Sequence, residues 1–181
     1  MDVAAIQQAL RKAAFDGWLF CDFHNRDLMA YKILGLDEKS HTSRRWFYFV
    51  PSEGQPIKLS HKVEAGKLDS LPGEQQHYLP YTELHEKLAA ILAGSKQVAM
   101  QYSPMNNIPY VSVVDGGTID LVRSLGYEVV SSAGLVQTFQ AVLDEAAFES
   151  HVEAGNRVQR IKDEAFALMG EELKAGRTLT Q

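Results

Sequence analysis

The chain has 181 residues, of which 45% are hydrophobic and 23% are charged, as is usual for a soluble globular protein of about one domain. With 18 basic and 23 acidic side chains, its formal net charge is −5. It therefore lacks the dense positive field that phosphate backbones and anionic lipid surfaces require. We expect neither a nucleic acid nor a membrane as a partner.

The cysteine content and the N-terminus indicate the compartment. Cys21 is the single cysteine, which excludes an internal disulfide and a cysteine-based zinc site. Because Cys21 follows the apolar residues 18–20, we expect a buried hydrophobe and not a reactive thiol. The first 16 residues lack the apolar run of a signal peptide, and no stretch of 18 apolar residues follows. The sequence therefore predicts a cytoplasmic protein.

The N-terminal half predicts helices and strands in alternation. Apolar residues spaced by three and four predict a helix that starts at Val3 and ends near Gly17, and a buried strand follows at 18–21. A second helix is predicted over 27–36, with Gly35 where it would stop. Aromatic and β-branched residues at 46–50, turn residues at 53–56 and a further run at 57–61 predict a β-hairpin. The polar stretch 64–81 predicts an irregular connection with one short strand.

The C-terminal half continues the alternation. The predicted elements are a helix at 81–92, a strand at 97–102, a helix at 119–125 closed by Gly126, a strand at 127–130 and a helix around 135–143. This order indicates an α/β layer structure with parallel strand pairs, and the hairpin adds at least one antiparallel pair. A helix of about 30 residues is predicted at 144–175, which is far longer than the usual 11 or so. Its apolar stripe consists of Phe148, Val152, Gly155, Val158, Ile161, Ala165 and Leu168.

The polar turn after the first strand is a candidate site. The six histidines fall in no spacing that places two ligands on one metal ion. Asp22 and His24, two residues apart, could still present two groups on one side of a strand end. The alternative is that Asp22 or Asn25 caps the following helix while His24 forms local hydrogen bonds.

Other candidate sites have simpler structural explanations. No nucleophile elbow occurs in the sequence. Gly116, Gly117 and Thr118 could bind an anion at a helix start, but Asp115 beside them disfavours phosphate, so we expect a tight strand-to-helix turn. The aromatic run 46–49 could stack on bases, but a buried strand is the better interpretation because few basic residues surround it.

Several motifs together carry a family resemblance. In chain order they are Asn25 to Leu36 ending in Ile33-Leu34-Gly35, Phe47-Tyr48-Phe49-Val50-Pro51 followed by Gly54 and Pro56, Ser103-Pro104-Met105-Asn106 with Ile108-Pro109, Val114-Asp115-Gly116-Gly117-Thr118 before Leu121-Val122, and Phe148 to Ala165. Their order and spacing resemble the N-terminal domain of Xaa-Pro aminopeptidases and prolidases, in the creatinase, aminopeptidase P and prolidase superfamily.

The resemblance implies a fold and a domain division. The implied fold is α/β, a three-layer α/β/α structure with a mixed sheet of the ribonuclease-H-like type, plus a long C-terminal helix. Residues 1–143 would form the creatinase/prolidase N-terminal domain, and 144–181 would form a linker helix that leads to a pita-bread catalytic domain absent from this chain. Since residues 176–181 resemble the stretch just before that catalytic core, we expect the chain to be a fragment.

The resemblance also implies a function. The parent enzyme would hydrolyse the peptide bond before proline with two divalent ions, manganese, cobalt or zinc, held by two Asp, one His and two Glu that have no counterparts here. This chain would be non-catalytic and would contribute to oligomerisation and to the wall of the active-site entrance. Its partners would be its own catalytic domain, further copies in a homodimer or higher oligomer, and a proline-containing peptide. The substrate-facing residues would be Asp22, Phe23, His24, Asn25 and Arg26.

Two alternatives stay open at this point. A stand-alone protein-interaction module of the same fold would use its surface without chemistry. A creatinase-like C–N hydrolase would share this N-terminal domain, and the residues that separate the substrate classes would lie in the absent domain.

Overall fold

The computed structural model describes residues 1–178, which divide into two compact units. The first unit is Met1–Ala141 and the second starts at Val142. The assignment of 1–143 to an N-terminal domain and of 144–181 to a linker helix stays a prediction. Of the segment 176–181, residues 179–181 lie outside the described residues.

The first unit is built on a six-stranded mixed sheet. Its strands are β1 (Gly17–Asp22), β2 (Trp46–Pro51), β3 (Ile57–His61), β4 (Glu74–Tyr78), β5 (Gln97–Met100) and β6 (Glu128–Ser131). The order across the sheet is β4-β3-β2-β1-β5-β6. Strands β1, β2 and β3 pair antiparallel, whereas β3 with β4, β1 with β5 and β5 with β6 pair parallel. The hairpin and the parallel pairs are therefore both confirmed.

Five helices connect and cover the strands, and one long helix forms most of the second unit. They are α1 (Val3–Ala13), α2 (Leu28–Leu34), α3 (Tyr81–Ile91), α4 (Gly116–Ser124), α5 (Ala133–Gln140) and α6 (Glu145–Lys174). Asp2, Asp27, Asp115 and Asp144 cap α1, α2, α4 and α6, each by accepting a hydrogen bond from a backbone N–H three residues later. None of these helices, within residues 1–178, has the length and apolarity needed to cross a bilayer.

The central strand β1 shows why the unit has three layers. Leu19 and Cys21 join a core formed with α3 and α4, whereas Trp18 and Phe20 join a second core formed with α1, α2 and α5. Successive side chains of a strand point to opposite faces, so a strand covered on both faces must be apolar throughout. The three-layer α/β/α fold with a mixed sheet is thus confirmed, as are the burial of Cys21 and of the aromatic run 46–49.

The structure corrects several boundaries. The strand predicted over 97–102 ends at Met100, because the backbone N–H of Tyr102 donates to the Met100 carbonyl and turns the chain. The helix predicted over 119–125 begins at Gly116, where Asp115 caps it, and the one predicted around 135–143 ends at Gln140. A 3₁₀ segment at Lys62–Leu68 lies where only irregular chain was predicted.

The second unit presents an apolar stripe to solvent. The side chains of Phe148, Ile161 and Leu168 are 56%, 63% and 57% exposed. Oppositely charged side chains four residues apart also lie along this helix: Arg157 Nε is 2.6 Å from Glu153 Oε1, and Arg160 Nε is 3.8 Å from Glu164 Oε1. Exposed ion pairs of this kind stabilise a helix by only about 0.3–0.5 kcal/mol each. The exposed apolar stripe is therefore the feature of this helix that needs an explanation.

Candidate functional site

The candidate site lies where β1 and β5 end side by side. From β1 the chain continues through α2 to β2 on one side, and from β5 it continues through α4 to β6 on the other. Divergence of this kind opens a crevice at the carboxyl ends of parallel strands, which is where α/β folds bind ligands. Here the crevice is an open groove of about 710 Å³. It is lined by Phe23, Arg26, Arg45, His85, Asp115, Gly117, Thr118, Asp120, Leu121 and Ser124.

Asp22 organises the loop that forms one side of the groove. Its Oδ1 accepts hydrogen bonds from the backbone N–H groups of Arg26 and Asp27 at 2.7 and 3.0 Å. Its Oδ2 accepts from the backbone N–H of Asn25 at 2.9 Å and from the Tyr31 hydroxyl at 3.0 Å. The carboxylate is buried and fully engaged within the fold. Asp22 therefore positions the loop, and its side chain does not line the groove.

The alternative that Asp22 or Asn25 caps the following helix is wrong, because a different residue is the cap. Helix α2 is capped by Asp27, whose Oδ1 accepts from the Ala30 backbone N–H at 2.9 Å. Asn25 instead donates through Nδ2 to the carbonyls of Glu38 and Ser40, at 2.6 and 3.0 Å. The Asn25 side chain thus fastens the turn to the segment that follows α2.

His24 lies at the exposed tip of the turn. Both His24 and Asn25 have positive φ angles, 64° and 54°, so two consecutive residues adopt the left-handed conformation. The His24 ring contacts the Phe23 ring, with centroids 4.1 Å apart. Among residues 1–178 the His24 side chain has no hydrogen-bond partner, so the predicted local hydrogen bonds of His24 are wrong.

Two arginines, Arg26 and Arg45, line the groove together with two aspartates, Asp115 and Asp120. The Arg26 guanidinium lies over the Phe23 ring, 5.6 Å from its centroid, in a cation–π contact. Arg45, just before β2, also lines the groove. Within the described residues neither guanidinium is ion-paired with a carboxylate. Both are therefore available to an acidic or polar group of a ligand.

A small cavity of about 30 Å³ lies beside the groove, large enough for one or two water molecules. Cys21, Asp22, Asp27, Arg45 and Asp115 are among its lining residues. Burial, reinforced by the charge on Asp22 and opposed by the backbone N–H groups of Ala30 and Met29, raises the pKa of the Asp27 carboxyl to about 7. Burial likewise raises the pKa of the Cys21 thiol, and the nearby aspartates reinforce this. Cys21 is thus a poor nucleophile.

The start of α4 is occupied by its own side chain. Asp115 accepts from the Thr118 backbone N–H through Oδ1 at 2.9 Å and from the Thr118 hydroxyl through Oδ2 at 2.8 Å. A carboxylate already fills the place that an anion would take at this helix terminus. The predicted helix start is therefore confirmed, but the tight strand-to-helix turn is wrong, because β5 ends at Met100 and irregular chain with two 3₁₀ segments precedes Asp115.

The groove lacks the pairing that nucleophilic catalysis needs. The Thr118 hydroxyl donates to Asp115, and the Ser124 hydroxyl donates to the Leu121 carbonyl at 2.7 Å. Neither hydroxyl is hydrogen-bonded to His85, the histidine of this groove, so no nucleophile and base are aligned. Within the part of the chain that the structure describes, no three His, Cys, Asp or Glu side chains cluster in a way that could hold a metal ion. That the two divalent ions lie in a catalytic domain outside this chain stays a prediction.

Of the five residues predicted to face substrate, the structure places Phe23 and Arg26 on the groove and His24 at the exposed tip of the turn, with its ring tilted against that of Phe23. Sequence reasoning missed Arg45, His85 and Asp27. Asp27 carried a usable signal, since Asp directly before a helical apolar pattern is a typical N-cap. Arg45 and His85 carried none, because only the folded sheet brings them to the same groove.

Comparison with known proteins identifies the fold. No family profile and no curated protein matches the sequence. Among solved structures, a prolidase from Pyrococcus horikoshii is similar at 14% identity with a TM-score of 0.54, over 81% of this chain and 37% of that one. Dipeptidase PepE from Mycobacterium ulcerans is similar at 15% identity with a TM-score of 0.59, over 90% of this chain and 42% of that one. The creatinase/prolidase N-terminal domain of an X-Pro dipeptidase from Streptococcus pyogenes is similar at 13% identity with a TM-score of 0.53, over 75% of this chain and 96% of that one.

These similarities confirm the resemblance at the level of the fold. The chain has the fold of the N-terminal domain of prolidases and related dipeptidases. It spans 37% and 42% of the P. horikoshii and M. ulcerans chains but 96% of the isolated S. pyogenes domain.

Proposed function

We propose that this chain is the non-catalytic N-terminal domain of a proline-specific metallopeptidase, either an Xaa-Pro aminopeptidase or a dipeptidase. The observation that carries the proposal is the groove at the ends of β1 and β5 on a prolidase-type fold. The groove has two arginines without an ion-pair partner in residues 1–178 and no aligned nucleophile. Such a surface recognises a ligand and leaves the bond cleavage to other residues.

The groove suits the wall of an active-site entrance for short peptides. Arg26 and Arg45 can donate hydrogen bonds to a carboxylate or a peptide carbonyl, and guanidinium groups do so in pairs. Phe23 adds apolar surface to the groove, which a proline ring can contact beside Arg26. We assign Phe23, His24 and Arg26 to the face that a proline-containing peptide contacts, and Asp22 and Asn25 to holding that face in shape.

We further propose that the domain takes part in a homodimer or a higher oligomer and packs against its own catalytic domain. The exposed apolar stripe of α6 supports a packing role, because contiguous apolar surface of this kind is typical of contact regions. Two divalent ions, manganese, cobalt or zinc, would belong to the catalytic domain and would activate the water that attacks the peptide bond. The proposed location is the cytoplasm.

The test uses the product of the complete reading frame that contains this chain, assayed for proline release from Ala-Pro with manganese. In that protein we expect Arg26→Ala to raise KM about tenfold, the effect of one charge-assisted hydrogen bond, and to leave kcat within about twofold. The matched control is Arg44→Ala, since Arg44 is exposed and donates to the Ser43 carbonyl away from the groove.

Equal KM values for the wild type and Arg26→Ala would contradict the groove's role as an entrance wall. A stop codon directly after Gln181 would instead favour the stand-alone interaction module. Turnover of creatine without turnover of Ala-Pro would favour the creatinase-like C–N hydrolase.

A further inference from the structure

We propose that Asp27, together with the small cavity beside the groove, is a pH-sensitive switch that holds the turn formed by residues 23–27 closed when Asp27 is protonated and loosens it when Asp27 ionises. The inference concerns this turn alone and stands whether or not the chain belongs to a peptidase.

The geometry of the Asp27 carboxyl is asymmetric. Its Oδ1 caps α2 by accepting from the Ala30 backbone N–H. Its Oδ2 is buried and has no hydrogen-bond partner among the described residues. The whole residue is only 2% exposed. A buried carboxylate oxygen without a donor is costly, whereas a protonated oxygen carries no charge and can donate to water in the adjacent cavity.

The charges around Asp27 come from several elements. Asp22 at the end of β1 and Asp115 at the start of α4 are negative, and Arg26 and Arg45 are positive. Helix α5, which packs on α2, carries no titratable side chain. On the far side, the Lys67 ammonium lies over the ring of Tyr31, whose hydroxyl donates to Asp22.

Asp22 cannot relieve an ionised Asp27. The hydroxyl and three N–H groups that face Asp22 already donate to it, so a second negative charge beside it has no spare donor. One of those donors is the backbone N–H of Asp27 itself. If an ionised Asp27 moves toward water, it must pull on the hydrogen bond that holds the turn, and Phe23 and Arg26 move with that turn.

The raised pKa of Asp27, about 7, places the switch in the neutral range. In an opened turn, where Asp27 is hydrated, its pKa would return towards the ordinary 3.8. The closed turn therefore binds the proton more tightly than the open one. Its stability relative to the open turn is complete below about pH 4 and declines as the pH rises to about 7. Between pH 6 and 8, the closed-to-open ratio should fall about tenfold.

The experiment is an NMR titration of the purified chain from pH 4 to pH 9. It follows the Asp27 side-chain carboxyl carbon and the backbone amides of residues 23–27. All samples carry His24→Gln, which leaves Asp27 as the one carboxyl or imidazole side chain in residues 23–27. The comparison variant is Asp27→Asn, which retains a good helix cap and cannot ionise. The matched control is Asp37→Asn, since Asp37 is an exposed loop aspartate that accepts from the Lys39 backbone N–H.

We expect the Asp27 carboxyl to titrate near pH 7 and the amides of Asn25 and Arg26 to shift with the same midpoint. The hydrogen-exchange protection of these amides should fall about tenfold between pH 6 and 8, and Asp27→Asn should abolish both changes while Asp37→Asn preserves them. A carboxyl midpoint below pH 5 would overturn the proposal. So would amide shifts that persist in Asp27→Asn, or a carboxyl that titrates near 7 while the amides stay still.

Discussion

Asp22 gives the sharpest stability prediction, because one buried carboxylate accepts four hydrogen bonds that define the groove's turn. The substitution Asp22→Asn keeps the size of the side chain but replaces one acceptor oxygen with an NH₂ group. If that group takes the place of Oδ1, it faces the N–H groups of Arg26 and Asp27. If it takes the place of Oδ2, it faces the Asn25 N–H and the Tyr31 hydroxyl.

The second orientation is less costly, because the Tyr31 hydroxyl can turn and donate to the Thr42 hydroxyl 2.9 Å away. One buried amide donor then remains without an acceptor, which costs about 1–3 kcal/mol. The two remaining bonds also lose their charge assistance, which roughly halves their strength. We expect Asp22→Asn to lower the free energy of unfolding by about 3 kcal/mol. For a unit of this size, that corresponds to a fall in Tm of roughly 10 °C.

Urea unfolding followed by tryptophan fluorescence measures this loss, because Trp18 and Trp46 are both buried in the unit. The control is Asp120→Asn on the exposed part of the groove, which should change the unfolding free energy by less than about 0.5 kcal/mol. A loss below 1 kcal/mol for Asp22→Asn, with an unchanged m value, would refute the view that this carboxylate holds the turn together.

Three further predictions concern packing, reactivity and pH. Gly73→Ala should lower the free energy of unfolding by at least about 3 kcal/mol, because the φ of Gly73 is +118° and a Cβ there would lie 2.3 Å from the Pro56 carbonyl oxygen. Gly54→Ala, with open space around the new Cβ, should lower it by about 1 kcal/mol in the same denaturation assay. Cys21 in the folded chain should react with a thiol reagent at least a hundredfold more slowly than in urea, and equal rates would contradict its burial. Between pH 4 and 7, Asp27→Asn should gain stability over the wild type by up to about 1.4 kcal/mol per pH unit, and a constant difference would contradict the raised pKa.

The sequence predicted most of the fold because its signals are local. The run from Trp18 to Cys21 is apolar on both faces, as a central strand covered by two helix layers must be. The hairpin turn around Gly54 and the stop at Gly35 follow from the conformational freedom of glycine. These features depend on neighbours in the chain, so spacing alone reveals them.

The candidate site was predicted only in part, because its geometry depends on contacts distant in sequence. Arg45 and His85 reach the groove from β2 and α3, which no local pattern brings together. Asp22 was predicted to face substrate, but its four hydrogen bonds direct it inward. A carboxylate at a strand end can serve either purpose, and only the positions of Tyr31 and the turn amides decide between them.

The central claim is that this chain is a non-catalytic domain of a proline-specific metallopeptidase. A comparison of peptidase turnover tests this claim most directly. Proline release from Ala-Pro is measured with manganese, cobalt or zinc for residues 1–181 alone and for the product of the complete reading frame. The account predicts metal-dependent release by the complete product and none by residues 1–181. Metal-dependent proline release by residues 1–181 alone, surviving repurification, would contradict it.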